Sequence, residues 1–203
     1  VSEAGRATFS CSYATAEGLL ERAEVTAEDT VLVIGASGGV GSALIQRAKR
    51  RGAAVVALAS EPKHAALRAL GADALLPRAP TDLEGALRTA LGRAEVSVVA
   101  DIVGGAAFPK LLDVITPRGR YVPSGAIAAP VVELYLPTPH PKDLTFHGST
   151  ITPPEVFRAV LRYIERGEVA PLLAGTFPLE DLRRGQEAFI EKAHVGNFAV
   201  VMG

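Results

Sequence analysis

The segment Val31-Leu32-Val33-Ile34-Gly35-Ala36-Ser37-Gly38-Gly39-Val40-Gly41-Ser42-Ala43 constrains the fold more than any other. An apolar, largely β-branched run enters a glycine-rich turn, and small helix-compatible residues follow. That order is a buried strand, a tight turn and the start of a helix. Glycines at such a turn let the backbone approach a pyrophosphate and let helix pack closely on strand. The free N–H groups and the helix dipole then face the negative charge. Ser37, Gly38, Gly39, Val40 and Gly41 are therefore the expected phosphate cradle.

The remaining sequence repeats the same order. β-branched runs at Thr30 to Ile34, Ala54 to Ala59, Val96 to Asp101 and Arg120 to Pro123 alternate with Ala/Leu/Arg-rich stretches. These stretches cover Val40 to Arg51, Lys63 to Leu70, Leu83 to Leu91 and Ala106 to Ile115. Alternation of this kind predicts βαβ units around a parallel sheet, and the near-continuous apolar strands suit a sheet covered on both faces. The expected fold is a Rossmann-type α/β domain, a doubly wound, mostly parallel six-stranded sheet with helices on both faces. Helix punctuation agrees. Lys49-Arg50-Arg51-Gly52 places cations in a last turn with a glycine beyond it. Thr81 reads as an N-cap with Glu84 as the capping-box acid, and Pro153-Pro154-Glu155 as a helix entry. A helix is expected from about Tyr13 to Ala23, and a Pro-rich loop from Ala126 to Pro141. From Val169 the pattern changes to a short extended piece, a helix over Leu179 to Lys192 and a strand over Asn197 to Met202. Residues 1–168 are thus expected to form the cofactor domain with its entry helix, and 169–203 to belong with another domain.

Charge and composition narrow the partners. A formal net charge of −1 gives no electrostatic reason to expect nucleic acid or an anionic membrane. No apolar run reaches the roughly 18–20 residues that span a bilayer. Cys11 is the only cysteine, so no intrachain disulfide can form, which fits a cytoplasmic setting. The opening Val1-Ser2-Glu3-Ala4-Gly5 reads as the interior of a longer sequence.

The second strand ends at Ser60, where NAD binders carry an acid that holds the ribose diol. A hydroxyl can donate to a 2′-phosphate that an acid would repel. Lys63 lies one turn on and Arg78 follows the third strand, so both can neutralise the phosphate. Glu61 is the opposing signal. The expected cofactor is NADP(H). Its nicotinamide should lie beyond the ends of strands four and five, at Val103 and Gly104 and at Ser124, Gly125 and Ala126.

Two families write the glycine loop alike. Gly35-x-x-x-Gly39-x-Gly41 fits the short-chain dehydrogenases, but none of Tyr13, Tyr121, Tyr135 and Tyr163 has a Lys four residues on. In the register Ala36-x-Gly38-x-x-Gly41 the sequence resembles the medium-chain dehydrogenase/reductase superfamily, above all its quinone-oxidoreductase-like branch. Cys11-Ser12-Tyr13-Ala14-Thr15-Ala16, Leu70-Gly71-Ala72-Asp73, Asp101-Ile102-Val103-Gly104-Gly105, Pro117-Arg118-Gly119-Arg120, Lys142 to Gly148 and His194-Val195-Gly196-Asn197 match further landmarks of that family. The resemblance implies that a GroES-like catalytic domain precedes this region and that 169–203 joins it. It places Thr15 near the nicotinamide and a cofactor contact at Asn197, where the family often has a cation. It also implies a homodimer through the sheet edge near Leu144 to Gly148.

The same resemblance bears on a metal. Zinc-dependent members carry their third zinc ligand on the entry segment, at the position of Cys11. Its partners would lie outside this chain, and a buried, non-ligating Cys11 is the preferred expectation. His64, His140, His147 and His194 are isolated, with His64 expected on a helix surface and His147 at a strand end, and no general acid or base is nominated. The expected function is hydride transfer from NADPH to a small quinone, enone or carbonyl substrate. The alternatives are a zinc-dependent alcohol dehydrogenase using Cys11 and a non-catalytic NADP(H)-binding sensor or scaffold.

Overall fold

The computed structural model describes residues 2–202. Strands β1 (Thr30–Ile34), β2 (Ala54–Ala59), β3 (Ala74–Pro77), β4 (Val96–Asp101), β5 (Ile115–Pro123) and β6 (Thr145–Phe146) form one sheet in the order β3-β2-β1-β4-β5-β6. Every pairing in it is parallel. The chain reverses direction across the sheet between β1 and β4, which places a crevice at the ends of those strands.

Strand alternation builds two cores. Val31, Val33, Val55, Ala57, Val98 and Ala100 point to one face, against Tyr13, Leu19 and Leu20 of α1 (Glu3–Arg22), Leu44 and Ile45 of α2 (Gly39–Arg50), and Val160 of α6 (Pro154–Glu165). Leu32, Ile34, Val56, Leu58 and Val99 point to the other, against Leu83 and Leu87 of α4 (Leu83–Leu91) and Leu111 and Leu112 of α5 (Phe108–Asp113). α3 (His64–Ala69) buries only Leu67. Each large aliphatic side chain fully buried this way contributes roughly 1.5–3 kcal/mol. The doubly wound fold follows from this two-sided burial.

Several boundaries differ from the sequence expectation. α1 starts at Glu3 rather than Tyr13, because the Ser2 hydroxyl accepts from Gly5 N and caps a helix through Gly5 and Thr8, both poor helix formers. On that helix Tyr13, Ala16 and Leu20 share the core face, and Cys11 falls on the opposite side. Cys11 is therefore exposed, not buried. The N-cap of α4 is Asp82, not Thr81, because the Asp82 carboxylate is the group that reaches Gly85 N, at 2.9 Å. β5 begins at Ile115, five residues early, since a register shift against β4 absorbs Pro117-Arg118-Gly119, with Arg118 at φ 62°. The stretches read as helices over Lys63 to Leu70 and Ala106 to Ile115 each open with a 3-10 turn, at Glu61–Lys63 and Gly105–Ala107. His64 is half-buried, its Nε2 3.0 Å from Ala59 O.

The last segment forms β7 (Leu173–Pro178), α7 (Leu182–Glu191) and β8 (Asn197–Val201), a parallel pair with its own helix. It joins the main body through polar contacts and through Val169 and Val195, which pack against the core of the first face. Tyr13 Oη donates to Ala170 O at 2.8 Å and accepts from Leu172 N at 3.1 Å, and Gln46 bonds both Tyr13 Oη and Ala170. Burial, opposed by these hydrogen bonds, pushes the Tyr13 phenol up to about 12. Among the described residues, no helix is long and apolar enough to cross a membrane.

Candidate functional site

Because all six strands are parallel, their carboxyl ends share one edge of the sheet. Gly35 follows β1 at φ 75°, and Gly38 N bonds back to Gly35 O at 3.1 Å to close the turn. α2 then begins behind Gly38, which offers no side-chain cap. The first N–H groups of α2 are thus left to an outside acceptor, at the positive end of a twelve-residue helix.

The glycines divide by cause. A side chain on Gly41 would collide with Gly35 O and the Ala36 backbone, so this glycine serves the tight strand-to-helix packing. One on Gly39 would collide with Ser12 and Asn197, so this glycine admits the tail. One on Gly38 would meet only Gly35 O, at 3.6 Å, an ordinary contact. No neighbour in the protein requires a glycine at 38, which leaves space above the turn for a ligand's approach. Ser37 and Val40 are half-buried beside it. A dinucleotide's diphosphate fits this cradle.

The ends of β2 and β3 bring cations to the same place. Ser60 is exposed at the start of the 3-10 turn, with its hydroxyl free of any cap bond. Lys63 Nζ donates to Ser37 Oγ at 3.2 Å and also to the backbone oxygen of Lys192. Burial, with the nearby charges of Arg78 and Lys192, lowers the Lys63 ammonium below the ordinary lysine range. Among the described residues, none of the ion pairs involves Lys63, Arg78 or Lys192. Three cations from three elements thus gather at Lys63, which itself bonds Ser37, without a carboxylate ion-pair partner among the described residues. Lys192 and His194 were not legible in the sequence as members of this group. Lys192 sits just past α7 at φ 54°, a left-handed backbone that turns the chain back toward the glycine loop. Burial and the charges of Lys63 and Lys192 lower the His194 imidazole. Its Nδ1 is buried without a partner.

Asn197 also reaches the loop. Its Oδ1 accepts from Ser12 Oγ at 3.0 Å beside Gly39, and its Nδ2 is buried with no acceptor. Gly196 N bonds Ser37 O at 3.0 Å, so the tail forms one wall of the cradle.

At the ends of β4 and β5, Val103, Gly104, Ser124, Gly125 and Ala126 do come together. A side chain on Gly104 would press on Ala126 and Gly125, and one on Gly125 on the Ile102 backbone. The backbone N–H groups of this turn are already engaged, however. Val103 N and Gly104 N both bond the Asp101 carboxylate, at 2.8 and 3.0 Å. Contacts to a ligand there must use other groups, and the Ser124 hydroxyl is buried and unpaired. Thr15 is half-buried on α1, and no hydrogen bond among the described residues ties it to this turn. His147 follows β6, pairing its N–H with Tyr121 O. Among the described residues no three His, Cys, Asp or Glu side chains, Cys11 included, form a metal-holding group.

Comparison with known proteins agrees with this architecture. The model of a family described as zinc-binding dehydrogenase matches residues 39–166. An acryloyl-coenzyme A reductase of Metallosphaera sedula is 30% identical over 178 residues, covering 87% of this chain and 52% of that protein. A crystal structure from Sinorhizobium meliloti 1021, provisionally assigned as an alcohol dehydrogenase, superposes with a TM-score of 0.96 at 46% identity, over the whole chain and 56% of the other. A 2-octenoyl-CoA carboxylase reductase solved with NADP and 2-octenoyl-CoA gives 0.92 at 26% identity, over the whole chain and 50% of the other. The chain spans about half the length of these relatives.

Proposed function

The chain belongs to the zinc-binding dehydrogenases of the medium-chain dehydrogenase/reductase superfamily, and on that premise we propose that it is the cofactor-holding half of an NADP(H)-dependent oxidoreductase. The observation that carries this is the uncapped start of α2 beside Lys63, with the charges of Arg78 and Lys192 close to that lysine and none of the three in an ion pair among the described residues. The helix N-terminus takes the diphosphate, with Ser37, Gly38, Gly39, Val40 and Gly41 as its cradle. Ser60 and the cations take the 2′-phosphate, which an acid at position 60 would have repelled. Val103, Gly104, Ser124, Gly125, Ala126 and Thr15 border the nicotinamide, and Asn197 presents its free amide N–H to the diphosphate.

Bound there, the cofactor supplies a hydride; the protein's part is to orient it and exclude water. The acceptor is a quinone, enone or carbonyl compound. The names of the relatives, an acryloyl-CoA and a 2-octenoyl-CoA reductase, favour a conjugated enoyl group among these. The substrate wall comes from the other half of a longer protein. Residues 169–203 belong with that half, because Phe189, Ile190 and Val200 are exposed and border an apolar groove of about 390 Å³. The two-residue edge strand β6, exposed at Thr145 and Phe146, is the expected homodimer contact.

Calorimetric titration tests the cofactor assignment. NADPH should bind tighter than NADH, and Lys63→Ala and Arg78→Ala should each erode the difference about tenfold, as expected for a lost charge-assisted contact. Equal affinities overturn the NADP preference, and no binding of either overturns the site. A second reading, a zinc-dependent alcohol dehydrogenase, is favoured by the exposure of Cys11, which leaves its thiol open to a metal shared with another domain. Metal analysis of the full-length protein, with and without Cys11→Ala, separates the two.

A further inference from the structure

We infer that Asp101 is the positioning residue of the nicotinamide end: held by Tyr121, its carboxylate fixes the Val103–Gly104 turn against which the nicotinamide rests. The inference rests on the proposed dinucleotide site and concerns how that site is shaped.

Asp101 is fully buried at the last position of β4, and no cation among the described residues pairs with it. A buried carboxylate without a counter-ion is costly unless donors surround it. Asp101 has three. Val103 N and Gly104 N reach Oδ1, and Tyr121 Oη donates to Oδ2 at 2.7 Å. Burial and the Asp101 charge push the Tyr121 phenol far above its ordinary range, so it remains a donor at any working pH. The Tyr121 ring is itself fixed, edge-on to Phe108 at 5.2 Å and against Phe146 at 5.7 Å.

The turn so held has little rigidity of its own. Gly104 and Gly105 are consecutive left-handed residues, at φ 66° and 80°, a conformation that glycine enters and leaves freely. Two neighbours cross it. Asp101 O accepts from Ser124 N at 2.9 Å, and Val103 O accepts from Ala128 N at 2.9 Å, while Gly104 bridges Ala129. The carboxylate thus sits where the ends of β4 and β5 and the following loop meet. With its two N–H groups engaged by the carboxylate, the turn offers the nicotinamide a fixed shape rather than free donors.

The test compares two ligands on the full-length protein by calorimetry: NADPH, and adenosine 2′,5′-bisphosphate, which lacks the nicotinamide. Asp101→Ala should lower NADPH affinity roughly tenfold or more while the bisphosphate changes by less than about twofold, since the adenine end lies across the sheet. Asp101→Asn keeps an acceptor for both turn N–H groups and should recover most of the loss. Tyr121→Phe removes one donor and should cost NADPH about threefold and the bisphosphate nothing, which carries the test if Asp101→Ala does not fold. Parallel loss for both ligands, or no loss for either, overturns the positioning role. A wild-type protein that binds neither ligand overturns the cofactor assignment itself, and this inference with it.

Discussion

The two sheets of the molecule are wired alike and buried differently. In both, parallel strands are joined through a helix. β1 is buried at every residue, sandwiched between two helical layers, whereas β7 alternates half-buried and exposed positions and α7 buries only Gly185. The same local pattern therefore gives a finished core in one region and an open apolar face in the other. The seam between them is polar, carried by Tyr13, Gln46, Ser12, Asn197 and the Lys63–Lys192 contact. Among the described residues, only Val169 and Val195 add apolar packing to it, and it runs beside the glycine loop.

The largest expected effect lies deep in the main body. Glu17 on α1 accepts from Arg47 Nε at 2.8 Å and from Arg51 Nη2 at 2.8 Å, and Arg47 is 1% exposed beneath the Tyr163 ring. Glu17→Ala strands that guanidinium, and a buried charge left alone typically costs about 3–5 kcal/mol. Urea denaturation should register the whole loss. Ile190→Asp, on the open face of α7, should change the stability of the 203-residue chain by less than about 0.5 kcal/mol. Similar losses from the two would erase the proposed contrast.

What could be read beforehand follows the same division. The strands and the glycine loop were legible because their requirements are local: β-branched runs buried on both faces, and a backbone too close at Gly41 for any side chain. The start of α1 was not, since a cap at Ser2 and the long-range packing of Tyr13 and Leu20 outweigh the weak propensity of Gly5 and Thr8. Lys63 and Arg78 could be placed by counting from strand ends. Lys192 and His194 could not, because only the crossing through α7 returns them to Lys63, more than 120 residues later in sequence. Asp101 looked like part of a motif, and its hydrogen bonds disclose what it holds.

A smaller effect probes the seam itself. Tyr13→Phe keeps the ring in the core and removes the hydroxyl that bonds Ala170, Leu172 and Gln46. A typical net loss is about 1 kcal/mol. It should appear as faster amide exchange at Leu172 with little change at β1 or β4, because local opening is independent of global unfolding. Uniformly faster exchange would mean that tail and sheet form a single cooperative unit.

The smallest effect concerns protons at the joint between the two regions. Burial and the Lys63 and Lys192 charges hold His194 below its ordinary value, so the unfolded chain takes its proton more readily than the folded one. Stability from this group is therefore complete above the ordinary histidine range and is lost as pH falls through the lowered value. An anion seated on Lys63, Arg78 and Lys192 reverses the local field and draws a proton back onto the imidazole. NADPH binding near pH 6.5 should accordingly take up a fraction of a proton, read from calorimetric enthalpies in buffers of different ionisation heat. The ligand's own phosphate titrates in the same range, but it does so equally in wild type and in His194→Gln. The difference between the two proteins isolates the imidazole, and identical uptake in both would place His194 outside the reach of the bound phosphate.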